Sequence, residues 1–243
     1  MTDVLQLQQI SKKYAKQHVL KNISLSVQQG EFLALIGVNG AGKTTLIKTI
    51  LDFEEADTGQ ITIFEQSHLK PQSRQTLAFL PEQFKPPIFL TGLQFLKYIA
   101  KLHQIPIKLD DIKKLCSQLD LDSEVLHKPI KKYSKGMNQK LGLVSCFFTQ
   151  KPLLILDEPM SGLDPKARAY FKHYLQNLKQ QQQTVFFTTH LLFDIQTLCD
   201  RMAILHDGEL RFIGTPQQCC AQYQTDDLEQ AYLRCIGADC ISG

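Results

Sequence analysis

The sequence predicts an α/β fold with a mostly parallel central sheet. Short apolar stretches alternate with segments of helical periodicity along the 243-residue chain, which is typical of strands joined by crossover helices. Three stretches, FLALI, LLIL and VFF, are apolar throughout, as strands buried on both faces require. We expect these three to be central strands. Between Thr91 and about Gln150 strand patterns are missing, and amphipathic segments predict an all-helical insertion.

The individual elements follow from local patterns. Strands are predicted at VLQLQQI, Glu31–Gly37, Thr76–Pro81, LLILDEP and TVFFTTH. Helices are predicted at LTGLQFLKYIAKLHQI, DDIKKLCSQLDL, GMNQKLGLVSCFF and, near the end, DDLEQAYLRCI. The strands RMAILH and ELRFIG flank Asp207-Gly208, a dipeptide that favours the positive φ angles of a two-residue turn, so we expect a terminal hairpin.

Composition and charge restrict the function classes. The formal net charge is only +3, without the strong positive potential on which nucleic-acid affinity depends, so we expect no nucleic-acid partner. No apolar run approaches the roughly 20 residues that span a bilayer, and the start MTDVLQLQQ lacks the features of a secretory signal. We therefore expect a cytoplasmic protein without a membrane segment of its own.

The seven cysteines form an odd set without a Cys-x-x-Cys pair. No histidine lies beside them at metal-ligand spacing. We interpret them as reduced thiols that pack as small hydrophobic residues. The alternative is a redox or zinc site around Cys235 and Cys240.

The segment GVNGAGKTT, residues 37–45, follows the predicted strand FLALI and precedes the helical stretch TTLIKTILDF. It matches G-x-x-x-x-G-K-[ST], the phosphate-binding loop, in the context that this motif requires. Its glycines let successive N–H groups point at phosphate oxygens, and the helix start adds a positive dipole. Lys43 is expected to reach the β- and γ-phosphates, and Thr44 to bind Mg²⁺. The nucleotide contacts predicted in this loop are Gly37, Asn39, Gly40, Ala41, Gly42, Lys43, Thr44 and Thr45.

Two carboxylates follow the buried strand LLIL. Asp157 comes directly after it, where a ligand for the metal of a phosphate-binding loop is best placed. Glu158 comes next and is a candidate general base for an attacking water. Pro159 ends the strand because it lacks a backbone donor. Downstream of a phosphate-binding loop, this pair predicts Mg²⁺-dependent nucleotide hydrolysis.

These motifs resemble the ATP-binding cassette (ABC) family over nearly the whole chain. GVNGAGKTT resembles the Walker A loop, and LLILDEP resembles the Walker B strand. The resemblance implies a P-loop NTPase fold with a mostly parallel central sheet, an N-terminal antiparallel β part and an inserted helical subdomain. It also implies that Tyr14 stacks on adenine and that Gln83 is the Q-loop contact to ATP and metal. Asp164 would belong to the D-loop SGLD, and His190 would be the switch histidine.

The resemblance also implies a domain organisation. Residues 1–243 would form a single ABC ATPase domain. Within it, residues 1–90 and 151–215 would be the α/β core with its N-terminal β part, residues 91–150 the helical signature subdomain, and residues 216–243 a C-terminal helical extension. In the family the helical subdomain docks the membrane subunit, and the apolar residues from 84 to 95 are a candidate edge of that groove. The alternative for Phe89 and Phe95 is a place in the core.

The signature motif departs from the family. Where members typically have LSGGQ, this chain has YSKGM, Tyr133–Met137, followed by Asn138-Gln139. Ser134 and Gly136 are kept, so the hydroxyl and the N–H groups at this helix start can still bind a γ-phosphate. Lys135 adds a positive charge. YSKGM followed by NQKL resembles the variant in ATPases of ABC-2-type exporters, which move lipophilic or glycosylated cargo outward.

The resemblance implies a mechanism in which two copies sandwich two ATP molecules, the phosphate loop of one facing the signature of the other. A homodimer is the default, and a heterodimer fits the same residues. Glu158 would act as general base, His190 would contact the γ-phosphate, and Lys43 with Mg²⁺ would stabilise charge. Gln83 would couple metal and water to the helical insertion. Closure would drive a separate integral membrane permease, with this chain on the cytoplasmic face of the cell membrane.

Three other function classes fit the sequence less well. The main alternative is a soluble ABC ATPase that acts on ribosomes or DNA, but such proteins tend to carry two cassettes or a long coiled coil, and this sequence has neither. A regulatory module that closes without hydrolysis is disfavoured by Glu158 and His190. A GTPase is disfavoured because the sequence contains no Asn-Lys-x-Asp element for reading guanine.

Overall fold

Two β-sheets form the framework of the protein. The computed structural model describes residues 2–238, except the side chain of residue 194. Its strands, in chain order, are β1 (Asp3–Tyr14), β2 (Gln17–Gln28), β3 (Phe32–Ile36), β4 (Thr58–Ile63), β5 (Gln66–Ser67), β6 (Leu77–Leu80), β7 (Leu153–Leu156), β8 (Thr184–Thr189), β9 (Arg201–His206) and β10 (Glu209–Gly214). The larger sheet has the order β10-β9-β3-β8-β7-β6, and its neighbouring strands are parallel except β9 and β10. The predicted mostly parallel α/β sheet is confirmed.

The central strands β3, β7 and β8 are buried on both faces. Successive side chains of a strand point to opposite faces, and in β8 the neighbours Phe186 and Phe187 belong to two different core clusters. One cluster lies between the sheet and the helices, and the other lies between the sheet and the N-terminal strands. The apolar runs FLALI, LLIL and VFF are therefore central strands, as predicted.

The smaller sheet is antiparallel and has the order β2-β1-β4-β5. It confirms the N-terminal antiparallel β part that the family resemblance implied. The patterns did not single out β2 or β4, because polar residues alternate with apolar ones along them. In β2 the side chains of Ile23, Leu25 and Val27 are buried, while the residues between them are at least partly exposed.

Most helices lie in the connections between strands, and the last two follow β10. They are α1 (Lys43–Ile50), α2 (Pro71–Arg74), α3 (Gly92–His103), α4 (Leu109–Gln118), α5 (Lys135–Phe148), α6 (Pro165–Gln180), α7 (Ile195–Leu198), α8 (Pro216–Gln222) and α9 (Leu228–Cys235). The segment between β6 and β7 consists of α3, α4, α5 and two short 3₁₀ turns, in agreement with the helical periodicity of the sequence. Its apolar residues join the core cluster on the helical side of the parallel sheet. The helical segment therefore shares a core with the sheet.

The terminal hairpin forms as the Asp207-Gly208 dipeptide predicts. Strands β9 and β10 pair in antiparallel register around it. Asp207 has φ 49° and Gly208 has φ 77°, the two positive angles that such a turn requires.

The two phenylalanines of the predicted docking edge have different environments. Phe95 is only 6% exposed and packs edge-to-face against Phe84, with ring centroids 5.7 Å apart. Phe89 is 82% exposed, and its neighbour Ile88 is 65% exposed. Phe95 is thus a core residue, and Phe89 is available at the surface.

No helix among residues 2–238 has the length and apolar character needed to cross a membrane. Several cysteines are core residues: burial raises the pKa of the Cys199 and Cys219 thiols to about 12, which keeps them protonated and unreactive. Cys235 is partly buried, and Cys240, its partner in the alternative cysteine site, lies outside the described residues.

We predict that Phe95→Ala lowers the free energy of unfolding by about 3–5 kcal/mol, because it removes a buried aromatic ring and leaves a cavity. Phe89→Ala is the matched control and should change it by no more than about 0.5 kcal/mol. Urea denaturation followed by circular dichroism measures both. Equal effects would contradict the different burial of the two rings.

Candidate active site

A cavity of about 290 Å³ lies at the edge of the parallel sheet where its strands end. Because the strands are parallel, their carboxyl ends meet there, and ligands of open α/β sheets bind at this edge. The residues that line the cavity are Val19, Val38, Asn39, Gly40, Gly42, Lys43, Thr44, Thr45, Glu82, Asp157 and Glu158. The structure thus brings most of the predicted phosphate loop together with both predicted carboxylates.

The loop between β3 and α1 has the backbone form that its glycines allow. Gly42 caps α1 with φ 110°, a conformation that side chains other than glycine rarely adopt. Gly37 is buried, and a Cβ atom on it would lie 2.4 Å from the carbonyl oxygen of Leu205. Helix α1 therefore starts at the cavity, with its unpaired N–H groups directed towards it.

Lys43 is the first residue of α1 and is only 6% exposed. Its ammonium donates to the carbonyl oxygens of Gly37 at 2.6 Å and Val38 at 3.4 Å, and lies 3.5 Å from Glu158 Oε1. The lysine is therefore held along the loop beside the candidate base.

A hydroxyl and a carboxylate meet on the floor of the cavity. Thr44 Oγ1 donates to Asp157 Oδ2 at 3.2 Å, and Thr188 Oγ1 donates to Asp157 Oδ1 at 2.5 Å. Asp157 is 2% exposed, and burial raises its pKa, an effect that the two threonine hydroxyls oppose. Hydroxyl and carboxylate oxygens are the ligands that Mg²⁺ prefers, so Thr44 and Asp157 fit the predicted metal role.

Glu158 has a backbone conformation that is rare for its residue type. Its φ is 47°, in the left-handed region, which is costly for a residue with a Cβ atom. Its N–H donates to Thr188 Oγ1 at 2.9 Å, and its carboxylate Oε2 lies 2.9 Å from His190 Nδ1. Glu158 Oε1 is buried and has no hydrogen-bond partner among the described residues. The carboxylate thus lies between Lys43 and His190 with one oxygen open to a further donor.

The predicted Q-loop residue is not part of the cavity wall. Gln83 is exposed, and its neighbour Glu82 lines the cavity instead. Glu82 lies two residues after the end of β6, and side chains of an extended chain point alternately to opposite sides. Gln83 therefore stays a predicted contact to ATP and metal, and Glu82, which is exposed as well, is an additional residue of the cavity wall.

Tyr14, the predicted adenine contact, lies at the end of β1 beside the loop. It is 41% exposed, and its hydroxyl interacts with the side chains of Thr45 and Glu54. The ammonium of Lys12 lies 5.4 Å from the centre of its ring. Tyr14 is close to the cavity without lining it, whereas Val19 of β2 does line it.

The signature residues have a different location from the phosphate loop. Ser134 caps α5, and its Oγ accepts from the N–H of Met137 at 3.1 Å. Ser134 and Lys135 are exposed, Gly136 is partly exposed, and none of the three lines the described cavity. Asp164 caps α6, where its Oδ1 accepts from the N–H of Ala167 at 2.9 Å. These residues remain predicted contacts to a second molecule.

The sequence interpretation missed three residues of the site: Val19, Glu82 and Thr188. A sequence signal existed for Thr188, since it is a hydroxyl that follows the apolar run VFF in a buried strand, two residues before His190. Such a group must find a partner, and the end of a neighbouring strand is where partners lie. Val19 and Glu82 have no comparable local signal.

Comparison with known proteins agrees with the site. A family model described as "ABC transporter" matches residues 20–161. An uncharacterised ABC transporter ATP-binding protein of Synechocystis sp. is 38% identical over 224 residues, which cover 88% of this chain and 63% of that protein. The chain thus spans less than two thirds of the length of that relative. The linearmycin resistance ATP-binding protein LnrL of Bacillus subtilis is 29% identical over 233 residues, covering 93% of this chain and 74% of LnrL.

Solved structures agree with the fold. The structure of the ATP-binding subunit of an ABC transporter superposes with a TM-score of 0.89 at 30% identity, covering 96% of this chain and 99% of that one. A dimeric structure of a post-hydrolysis state of the ATP-binding cassette MJ0796, bound to ADP and Pi, gives a TM-score of 0.78 at 21% identity, covering 87% and 98%. With its phosphate loop, paired carboxylates and histidine at one sheet edge, the chain belongs to the ABC transporter family.

Proposed function

We propose that this chain is the ATPase subunit of an exporter of the ABC-2 type, and that two copies close around two ATP molecules to drive a separate membrane permease. The observation that carries the proposal is the position of Glu158. Its carboxylate lies between Lys43 and His190 at the cavity lined by the phosphate loop. This is the arrangement that hydrolysis of a bound nucleotide requires.

The lining of the cavity indicates which residues would bind ATP and Mg²⁺. The N–H groups of the loop and the start of α1 would hold the phosphates, with Lys43 moving from the loop carbonyls to them. Thr44 and Asp157 would hold Mg²⁺, and Glu82, which also lines the cavity, would supply a further oxygen ligand. When bound, Mg²⁺ would neutralise charge on the phosphates. Tyr14 would stack on adenine next to Val19.

Glu158 would take the proton of the attacking water. Its buried Oε1 has no hydrogen-bond partner among residues 2–238, and a buried acceptor of this kind suits a water molecule. His190 would hold the other oxygen and contact the γ-phosphate.

A second subunit is expected because part of the site is missing from the cavity. Ser134, Lys135 and Gly136 lie outside it, and α5 presents its N-terminus with Ser134 exposed. In a dimer they would contact the ATP held by the other subunit, and Asp164 would lie at the interface. The dimeric form of the similar cassette bound to ADP and Pi supports this arrangement.

A membrane permease is the proposed partner. An apolar groove of about 440 Å³ separates the sheet edge from α3 and α5. Among its lining residues, Phe53 and Leu102 are 67% and 63% exposed, which is unusual for large apolar side chains unless a partner covers them. A permease segment would fill this groove and hold the chain at the cytoplasmic face of the membrane. The variant signature and the similarity to a linearmycin resistance protein favour export.

Glu158→Gln should lower kcat for ATP hydrolysis by about 10²–10⁴-fold, because the amide cannot accept the proton of water. Binding of ATP should be kept, and a dimer should accumulate with ATP. Phosphate release and size-exclusion chromatography with ATP or ADP measure the two effects. Turnover at the wild-type rate would remove Glu158 as the base.

Glu82→Ala should lower kcat for ATP hydrolysis about tenfold or more and raise the Mg²⁺ concentration needed for half-maximal rate, because a metal-facing carboxylate is lost. Gln83→Ala is the matched control at the neighbouring exposed position and should have the smaller effect. Titration of Mg²⁺ at saturating ATP separates them. The opposite ranking would favour Gln83 as the contact to the metal.

The permease is tested by affinity capture from detergent-solubilised native membranes, with the Glu158→Gln protein as bait and ATP present. We expect a polytopic membrane protein among the bound proteins by mass spectrometry. Adding Leu102→Asp to the bait should remove it, because a charge in the apolar groove opposes docking, while ATP binding is kept. Capture of ribosomal or DNA-associated proteins alone would support the soluble ABC ATPase instead.

A further inference from the structure

Helix α5 contacts the segment that follows the candidate base. Gln139, in the second turn of α5, is only 4% exposed, and its Nε2 donates to the carbonyl oxygen of Pro159 at 3.1 Å. Pro159 is the residue directly after Glu158. The helix that begins with the signature motif is therefore joined by a buried hydrogen bond to the backbone next to the base.

Two further contacts hold the same surfaces together. A Cβ atom on Gly136 would lie 3.1 Å from the carbonyl oxygen of Gly162, which has φ 75°. A Cβ atom on Gly162 would lie 3.0 Å from Cε of Lys135, so the aliphatic part of Lys135 covers this glycine. The start of α5 and the D-loop therefore pack closely at these two glycines.

An ion-pair network connects α5 to the far end of the D-loop. Lys140 follows Gln139 and is buried, and its ammonium donates to Asp120 Oδ2 at 2.7 Å. The other oxygen of Asp120 lies 2.7 Å from the ammonium of Lys166, in the first turn of α6. Residues 159–166 are therefore attached to α5 at their beginning through Gln139 and at their end through Asp120.

The conformation of Glu158 explains why such attachment matters. A left-handed φ at a residue with a side chain persists only where neighbouring contacts fix it. Thr188 accepts the N–H of Glu158, the carbonyl oxygen of Glu158 accepts the N–H of Ser161 at 3.0 Å, and Gln139 holds the next carbonyl. Of these contacts, the one from Gln139 comes from the helical segment.

We propose that Gln139 is a positioning residue for ATP hydrolysis: it holds the Pro159 carbonyl so that Glu158 keeps the geometry of a base. The inference rests on the proposed role of Glu158. The inference also couples the signature to the base, because α5 carries the signature at its start and Gln139 four residues after Lys135. If ATP bound by the partner displaced α5, the hydrogen bond between Gln139 and Pro159 would transmit the movement to Glu158 of the same subunit.

The test is a kinetic double-mutant cycle between Gln139 and Glu158. Gln139→Met keeps the length of the side chain and removes the donor, and Gln176→Met is the matched control at an exposed glutamine of α6. We expect Gln139→Met to lower kcat at least tenfold with less than a twofold change in KM for ATP. In the Glu158→Gln protein the same change should leave residual turnover unaltered.

Several outcomes overturn the inference. An equal loss in the wild-type and Glu158→Gln backgrounds, or a rise in KM that accounts for the loss, assigns Gln139 a structural role only. If Gln139→Met lowers the melting temperature strongly, Gln139→Asn, which keeps the amide but is too short to reach Pro159, must show the same kcat effect. Full turnover in Gln139→Met with none in Glu158→Gln contradicts the inference alone, whereas full turnover in Glu158→Gln contradicts the proposed base as well.

Discussion

Two neighbouring carboxylates, Asp157 and Glu158, are buried at the end of one strand, and much of the surrounding structure compensates for their desolvation. Buried charges are tolerated only where they are paired and hydrogen-bonded. Asp157 accepts from two threonine hydroxyls, and burial still raises its pKa above the ordinary value. Glu158 lies between an ammonium and an imidazole. The partners of these two carboxylates come from β8, α1 and the residue after β8, which explains why these elements must meet at this edge.

The layout of the central sheet makes this edge the natural place for the site. Strands β3, β7 and β8 have apolar neighbours on both faces, so a charged side chain within them would be unpaired. Polar groups are confined to the strand ends, where the phosphate loop, the carboxylates and His190 follow β3, β7 and β8. The buried hydroxyl of Thr188, near the end of β8, is consistent with this rule because it both donates and accepts a hydrogen bond there.

The fold and most of the site could be predicted from the sequence, because continuous apolar runs and the glycine-rich loop are local signals. The exceptions have physical causes. The choice between Glu82 and Gln83 depends on which of two adjacent side chains turns towards the cavity, and composition does not determine this. The contact between Gln139 and Pro159 joins residues 20 positions apart, so no local sequence pattern predicts it. Phe89 and Phe95 look alike in the sequence and differ only once α3 is packed.

The residues of the variant signature differ in how strongly contacts within their own chain constrain them. A side chain on Gly136 would contact Gly162 tightly, and Gln139 donates to the carbonyl oxygen of Pro159, so both are constrained by the segment that follows Glu158. Lys135 and Met137 are less constrained: the lysine is exposed along the D-loop, and the methionine packs at the margin of the core. A change of the typical glycine and glutamine to lysine and methionine therefore leaves the contacts to the base intact. The variant alters what the signature presents to a partner's nucleotide while keeping the internal connection on which hydrolysis in its own subunit would depend.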